Sequence, residues 1–584
     1  MMNNVGVINY NNIEIQQGFS IINSMKKLLK SNWFWPVCIF ILALIIRLYI
    51  FFKLRGDFWF QTTLIDDYAY NSWAHKILSG DLLSKFSGKF FLNPGYPYFL
   101  ALIYKIFGDK QSIIITLQYL IGSFSCVLVY FLGKKVFNNK IGVIAGLIMT
   151  FYGMSIFYDS RLLTVNLINF INILLLLFLL KYQKHETFLI SGILLGITTL
   201  LRPNIFLFLF FVLIWLWVFL KISILQKIKN TLFFLMGLII ILLPMIMRNW
   251  IIEKKFTPLP ATVSSGINFY IGNNPEAKGT NKPSSFSRPT PEYMIQDFQR
   301  EAEKRLDKVG LKEEEVSEFW FSESLKWIKK EPFKYLKLLF LKINLFINSY
   351  EAPGNFTLEI VKKYTNIFGM PLISWGLIFP LGMAGIVLSL FYIKIRFEYN
   401  IIFYLYSIIY LLTSLLFFVL SEYRMPITPI LILYGAYFIH SIFEKIKERK
   451  IKQIVISFIM LIILLGISNA KIGYKEVPES AHYFMGIILE NKGFINEAIL
   501  EYRKSVESNP MFVQSHINLA NIYMKNKKYD IAIRGYETIA KISPEHASAS
   551  YYRISKIYEQ LKDYELSKKY YKKAFKIRLE YKNK

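Results

Sequence analysis

Long apolar runs separated by short polar loops dominate the first four-fifths of the chain. The first runs from Trp33 to Phe52, close to the ~20 residues that cross a hydrocarbon core of ~30 Å. It has no small-residue exit site, so it reads as an uncleaved first span rather than a signal peptide. Further spans fall at roughly 113–132, 141–157, 164–180, 187–201, 203–220, 231–250, 371–393, 401–420, 426–443 and 453–469. The pattern predicts an all-α, polytopic transmembrane bundle of about eleven spans over residues 33–470. Two long segments, 53–112 and 251–370, separate spans. Phe333–Ser349 is apolar too, but it carries Lys334, Lys337 and Lys342. That mixture suits an amphipathic helix lying in the interface better than a span.

After Asn469 the pattern changes. From Ser480 to the end the chain is polar and a period of about 34 residues appears: Gly486, Ala498, Tyr502 and Pro510 recur as Ala520, Ala532, Tyr536 and Pro544. A looser third copy has Tyr558, Ser567, Tyr571 and Ala574. Small residues let paired helices approach, a tyrosine fills the gap and the proline ends the second helix. This resembles tetratricopeptide repeats, so residues 480–584 are expected to form an α-solenoid of three repeats that holds a protein or peptide partner.

Charge fixes an expected orientation. The chain of 584 residues has 69 Lys+Arg against 40 Asp+Glu, a formal charge of +29, and is 54% hydrophobic. In a soluble protein such an excess would point to nucleic acid. Here it gathers in short loops: Lys134, Lys135 and Lys140; Lys181 and Lys184; Lys221, Lys227 and Lys229; Lys394 and Arg396; and Lys445 to Lys452. These loops fall on one side, where basic residues mark the cytoplasm. The N-terminal segment 1–32 is then cytoplasmic, the segments 53–112 and 251–370 and the repeats face outward, and nucleic acid is not an expected partner. The Lys-, Asn- and Ile-rich composition suggests a bacterial chain, hence the cytoplasmic (inner) membrane. The two cysteines, Cys38 and Cys126, sit inside apolar runs without metal-ligand spacing, so neither a disulfide framework nor a zinc site is expected.

Four arginines break the orientation rule. Arg161, Arg202, Arg248 and Arg424 all fall at the outer ends of spans. Guanidinium groups at that depth suit a phosphate or pyrophosphate; alternatively each snorkels or pairs with a nearby acid such as Asp159 or Glu422. The acidic pair Asp66-Asp67 follows the first span among apolar and aromatic neighbours, surroundings in which a carboxylate can serve as a base. His75 lies eight residues beyond Asp67 and is a further candidate.

Several of these stretches together resemble the GT-C superfamily of membrane glycosyltransferases, the family-39-type enzymes that use polyprenyl-phosphate sugars. Protein O-mannosyltransferases and lipid A aminoarabinose transferases belong to this group. The resemblance rests on Asp66-Asp67, on Asn93-Pro94-Gly95-Tyr96-Pro97-Tyr98, on Gly192 to Gly196 followed by Leu200-Leu201-Arg202-Pro203, on Arg248-Asn249-Trp250 with Ser264 to Asn274, and on Arg424-Met425-Pro426 with Pro429. The acidic pair is Asp-Asp where many relatives have Asp-Glu. The order of membrane region and repeats is similar to that of eukaryotic transmembrane-and-tetratricopeptide O-mannosyltransferases.

The resemblance implies an inverting transfer of one sugar from a polyprenyl phosphate to an acceptor hydroxyl on a protein, lipid or glycan at the outer leaflet. Asp66 or Asp67 would be the base; Arg202, Arg248, Arg424 and Arg161 would hold the donor phosphate; Glu422 and Asn273 complete the candidate set. Some relatives use a divalent metal, for which Asp66 and Asp67 would be the ligands; no other cofactor is implied. The rival readings are a ligase using a pyrophosphate-linked glycan, and a scaffold or transporter recruiting partners through its repeats.

Overall fold

The computed structural model describes residues 32–55, 66–85, 92–182, 184–254, 256, 265–281, 284, 286–287, 291–354, 372–391, 397–472 and 479–582. Most of the N-terminal segment 1–32, Ser264 and the loop with Lys394 and Arg396 lie outside these residues. The described chain is helical, with a single isolated bridge between Tyr152 and Ile373.

A helix stands at each of the eleven apolar runs. Six are long and apolar enough to cross a membrane: Phe34–Leu54, Gln111–Val136, Ile224–Glu253, Phe397–Leu416, Ser421–Lys447 and Ile451–Ser468. Five are shorter: Asn139–Thr150, Val165–Leu179, His185–Leu201, Pro203–Phe219 and Trp375–Phe391. Their packing follows from small residues at the crossings. Gly192 on His185–Leu201 lies against the carbonyl of Phe234, and Gly237 on Ile224–Glu253 against that of Leu189, so a Cβ at either would run into backbone. Between helices in lipid, such close approach supplies the van der Waals contact that the hydrophobic effect cannot.

The segment Pro332–Ile347 forms one helix. Phe333, Leu336, Phe340 and Ile343 are exposed along one side, as an interfacial helix requires. Lys342 departs from that expectation, for it is fully buried. Its Nζ donates to Asn273 Oδ1 and to the carbonyl of Leu415, both at 2.9 Å, at the C-terminal end of Phe397–Leu416. Carbonyls left unpaired at a helix end carry partial negative charge, which favours the cation there.

Burial pushes the Lys342 ammonium down to about 7. A folded pKa below the unfolded one contributes stability that is present at alkaline pH and lost as pH falls through about 7. Thermal unfolding of the full-length protein in detergent should therefore show wild type losing ground to Lys342→Met as pH is lowered from about 10 to about 7. A wild-type-minus-variant difference that stays flat across that window would refute it.

The C-terminal part is three helix pairs, Glu479–Asn491 with Ile495–Ser508, Val513–Lys525 with Tyr529–Ile542, and Pro544–Gln560 with Tyr564–Lys582. Tyr502 and Tyr536 are buried between the helices as the repeat pattern requires, and Tyr502 lies against Gly486. The third copy is shifted. Tyr571 is 51% exposed, and Tyr570 takes the inward place, stacked on Tyr558 with ring centroids 5.6 Å apart. At the other end the first pair shares one buried cluster with the membrane helices through Met485, Ile488 and Leu489. Arg300, on the helix Pro291–Leu306, reaches Glu545 of the third pair at 3.4 Å. The repeats thus touch the helix Pro291–Leu306 of the long segment 251–370.

Candidate active site

The helix Asp66–Leu78 begins at the acidic pair, where a helix N-terminus favours negative charge. The two carboxylates meet different surroundings. Asp67 is fully buried and paired with Arg161, whose Nη2 is 2.5 Å from Oδ2. Burial pushes the Asp67 carboxyl up, and the Arg161 guanidinium pulls against that rise. Asp66 is half-buried. It shares the surroundings of the Tyr70 hydroxyl, one turn on, with Arg202, Glu422 and Tyr423.

Arg202 sits at the break between His185–Leu201 and the short helical turn that follows, where Pro203 interrupts the ladder. Its Nη2 is 3.0 Å from Glu422 Oε1, and its guanidinium lies over the Tyr423 ring at 4.8 Å. Both side chains of that pair are 14% exposed, unlike the sealed Asp67–Arg161 pair. Glu422 also contributes to the field at Asp67, so the two pairs form one cluster of alternating charge.

The remaining candidates stand apart. Arg248 donates to the carbonyls of Leu83 and Ser84 and pairs with Glu253 at 2.9 Å, tying Ile224–Glu253 to the turn after Asp66–Leu78. Arg424 donates to the carbonyls of Leu345, Asn348 and Tyr350 and covers the Trp375 ring at 5.2 Å. Each is a clasp on backbone oxygens. His75 bridges the Asn71 carbonyl and Asp109, both at 2.7 Å, on an exposed face. Asn273 spans the carbonyls of Phe269 and Leu416 and accepts from Lys342.

A buried pair that the sequence pattern did not single out supports the site from below. Arg47, inside the first apolar run, lies 2.8 Å from Asp159. Asp159 therefore partners Arg47, and Arg161 partners Asp67. The second oxygen of Asp159 accepts from Asn166. Gln118 donates to the carbonyls of Asp159 and Arg161 and accepts from the Tyr96 hydroxyl. The signal for Arg47 was present: a cation within a span needs a partner at the same depth.

As a metal site the acidic pair fits poorly. Asp67 already faces a guanidinium, and among the described residues no three His, Cys, Asp or Glu converge. The cluster offers instead one half-buried carboxylate, one accessible guanidinium with its counter-ion, and aromatic walls.

Comparison with known proteins agrees with this part of the chain. Residues 93–250 match the family described as dolichyl-phosphate-mannose-protein mannosyltransferase, and residues 512–580 match tetratricopeptide repeats. No curated protein matches the chain. Among solved structures, the apo oligosaccharyltransferase of Archaeoglobus fulgidus is similar at TM-score 0.43 and 14% identity, over 78% of this chain and 58% of that one. The archaeal oligosaccharyltransferase AglB from the same organism, in complex with an inhibitory peptide and a dolichol-phosphate, gives TM-score 0.42 and 15% identity over the same shares. The chain thus spans 58% of the length of these two solved proteins. The likeness to the dolichyl-phosphate-mannose-protein mannosyltransferase family thus covers residues 93–250, and the likeness to tetratricopeptide repeats covers residues 512–580.

Proposed function

We propose that the protein is a membrane glycosyltransferase that moves a sugar from a polyprenyl monophosphate to an acceptor hydroxyl at the outer face of a bacterial cytoplasmic membrane. The observation that carries the reading is the cluster of Asp66 and Asp67 with Arg161, Arg202 and Glu422 beside the family-matched segment. The acceptor hydroxyl attacks the anomeric carbon from the face opposite the phosphate, and the configuration inverts. Asp66 takes the hydroxyl proton, a positioned-base role contributing typically ~10²–10⁴-fold. Asp67, neutralised by Arg161, holds the start of the helix in place.

The leaving phosphate is stable as an anion, so the site needs positive charge rather than a general acid. Arg202 supplies it, exchanging Glu422 for the donor phosphate. Arg248 and Arg424 serve by holding the walls. The repeats, beside the segment 251–370, hold an acceptor or partner near the site.

The test is transfer of labelled hexose by the purified full-length protein in lipid bilayers. Polyprenyl-monophosphate hexose is expected to donate and the pyrophosphate-linked sugar to be inert. Donation from the pyrophosphate lipid alone would replace this reading with that of a ligase.

A further inference from the structure

The helix Val165–Leu179 carries Asn166, Asn169 and Asn172 at three-residue spacing, each at least nine-tenths buried. With ~1.5 Å of rise per residue, the three descend into the bundle in steps of about 4.5 Å along one side. In all three the amide oxygen is buried without a hydrogen-bond partner in the protein, and the same holds for Asn204. The amide nitrogens are partly engaged: Asn172 donates to the Tyr410 hydroxyl at 2.9 Å, and Asn204 to Thr413 Oγ1 at 3.2 Å.

Asn204 lies two residues beyond Arg202, on the turn Pro203–Leu207. Arg202 is within electrostatic reach of Tyr410, and Tyr410 and Thr413 are one turn apart on Phe397–Leu416. A buried acceptor left without a donor costs ~1–3 kcal/mol. Several on one side at membrane depth are therefore expected to be met by a bound molecule.

We propose that Asn169, Asn172, Asn204 and Tyr410 form an uncharged subsite for the hydroxyl groups of a neutral hexose, the sugar of the lipid-linked donor. The inference rests on the donor reading above and adds which part of the donor lies where. The phosphate meets Arg202 at the rim, and the sugar points inward onto the amides. An amide offers both an acceptor and donors, the complement of a hydroxyl. A charged sugar would instead need a counter-charge among these four side chains, and they carry none.

Binding to the full-length protein in nanodiscs tests this, using bare polyprenyl phosphate and its mannosyl, glucosyl and galactosyl forms. At least one hexosyl lipid should bind about ten-fold or more tighter than the bare lipid, the worth of one or two hydrogen bonds. Asn169→Leu should remove that preference while leaving bare-lipid affinity within about two-fold, which also reports that the variant is folded. If Asn169→Leu does not fold, Asn169→Ala carries the same expectation. Preference retained in the folded variant, or equal binding of all four lipids by wild type, would overturn the subsite and leave water as its occupant. Failure of even the bare lipid to bind would bring down the donor reading itself, and this inference with it.

Discussion

Asp66→Asn is expected to lower sugar transfer by ~10²–10⁴-fold while the protein accumulates and unfolds as wild type does. The asparagine keeps the shape of the carboxylate and loses its ability to take a proton. Asp66 is half-buried and stands outside the sealed Asp67–Arg161 pair. Donor affinity should change little, because Arg202, the residue proposed to hold the phosphate, is untouched. The loss should therefore fall on kcat rather than KM, the signature of an interaction made in the transition state. Turnover by Asp66→Asn within a few-fold of wild type would end the assignment of Asp66 as base.

Asp67→Asn should behave differently, although the residue is adjacent. It leaves the buried Arg161 guanidinium without its carboxylate, and breaking such a pair from one side costs ~3–5 kcal/mol. Arg161→Gln should cost a similar amount from the other side. The double change Asp67→Asn with Arg161→Gln removes both charges and should recover most of the loss, the non-additivity expected of directly paired groups. The measurement is thermal unfolding of the four proteins in detergent. Additive losses in the double variant would contradict the pairing. Together the two sets of variants separate the acids: one loses chemistry and keeps its fold, the other loses fold first.

Much of the architecture was legible in the chain. A stretch of about twenty apolar residues has few alternatives to a helix, because lipid offers no partner for an unpaired backbone group. Helices therefore appear at all eleven apolar runs, six of them at least 18 residues long. The repeat period was equally direct where small residues and tyrosine recur. It slipped in the third copy because Tyr570 and Tyr571 are chemically identical and adjacent. The 34-residue step from Tyr502 to Tyr536 leads on to Tyr570, and it is Tyr570 that packs onto Tyr558.

At the candidate site the sequence singled out charged residues and left their pairing open. Four outward arginines looked equivalent by type and depth. Folding makes them unlike: Arg161 seals Asp67, Arg202 pairs with Glu422 and keeps a little exposure, and Arg248 and Arg424 hold backbone carbonyls. Local spacing suggested Asp159 as an acid for its neighbour Arg161, yet Asp159 is claimed by Arg47, 112 residues away. The asparagines of Val165–Leu179 read as ordinary members of an apolar run until their neighbours were placed.

What the sequence determined by itself was the secondary structure, the order of membrane part and repeats, and the kind of chemistry its charges could support. These depend on local periodicity and on the cost of polar groups in lipid, which each segment meets alone. The tertiary structure alone decided which charge meets which and which carboxylate stays accessible. It also decided which polar groups are buried without a partner. Those outcomes depend on contacts between segments 74 to 238 residues apart, and an ion pair's worth is set by the burial that only the packed bundle provides.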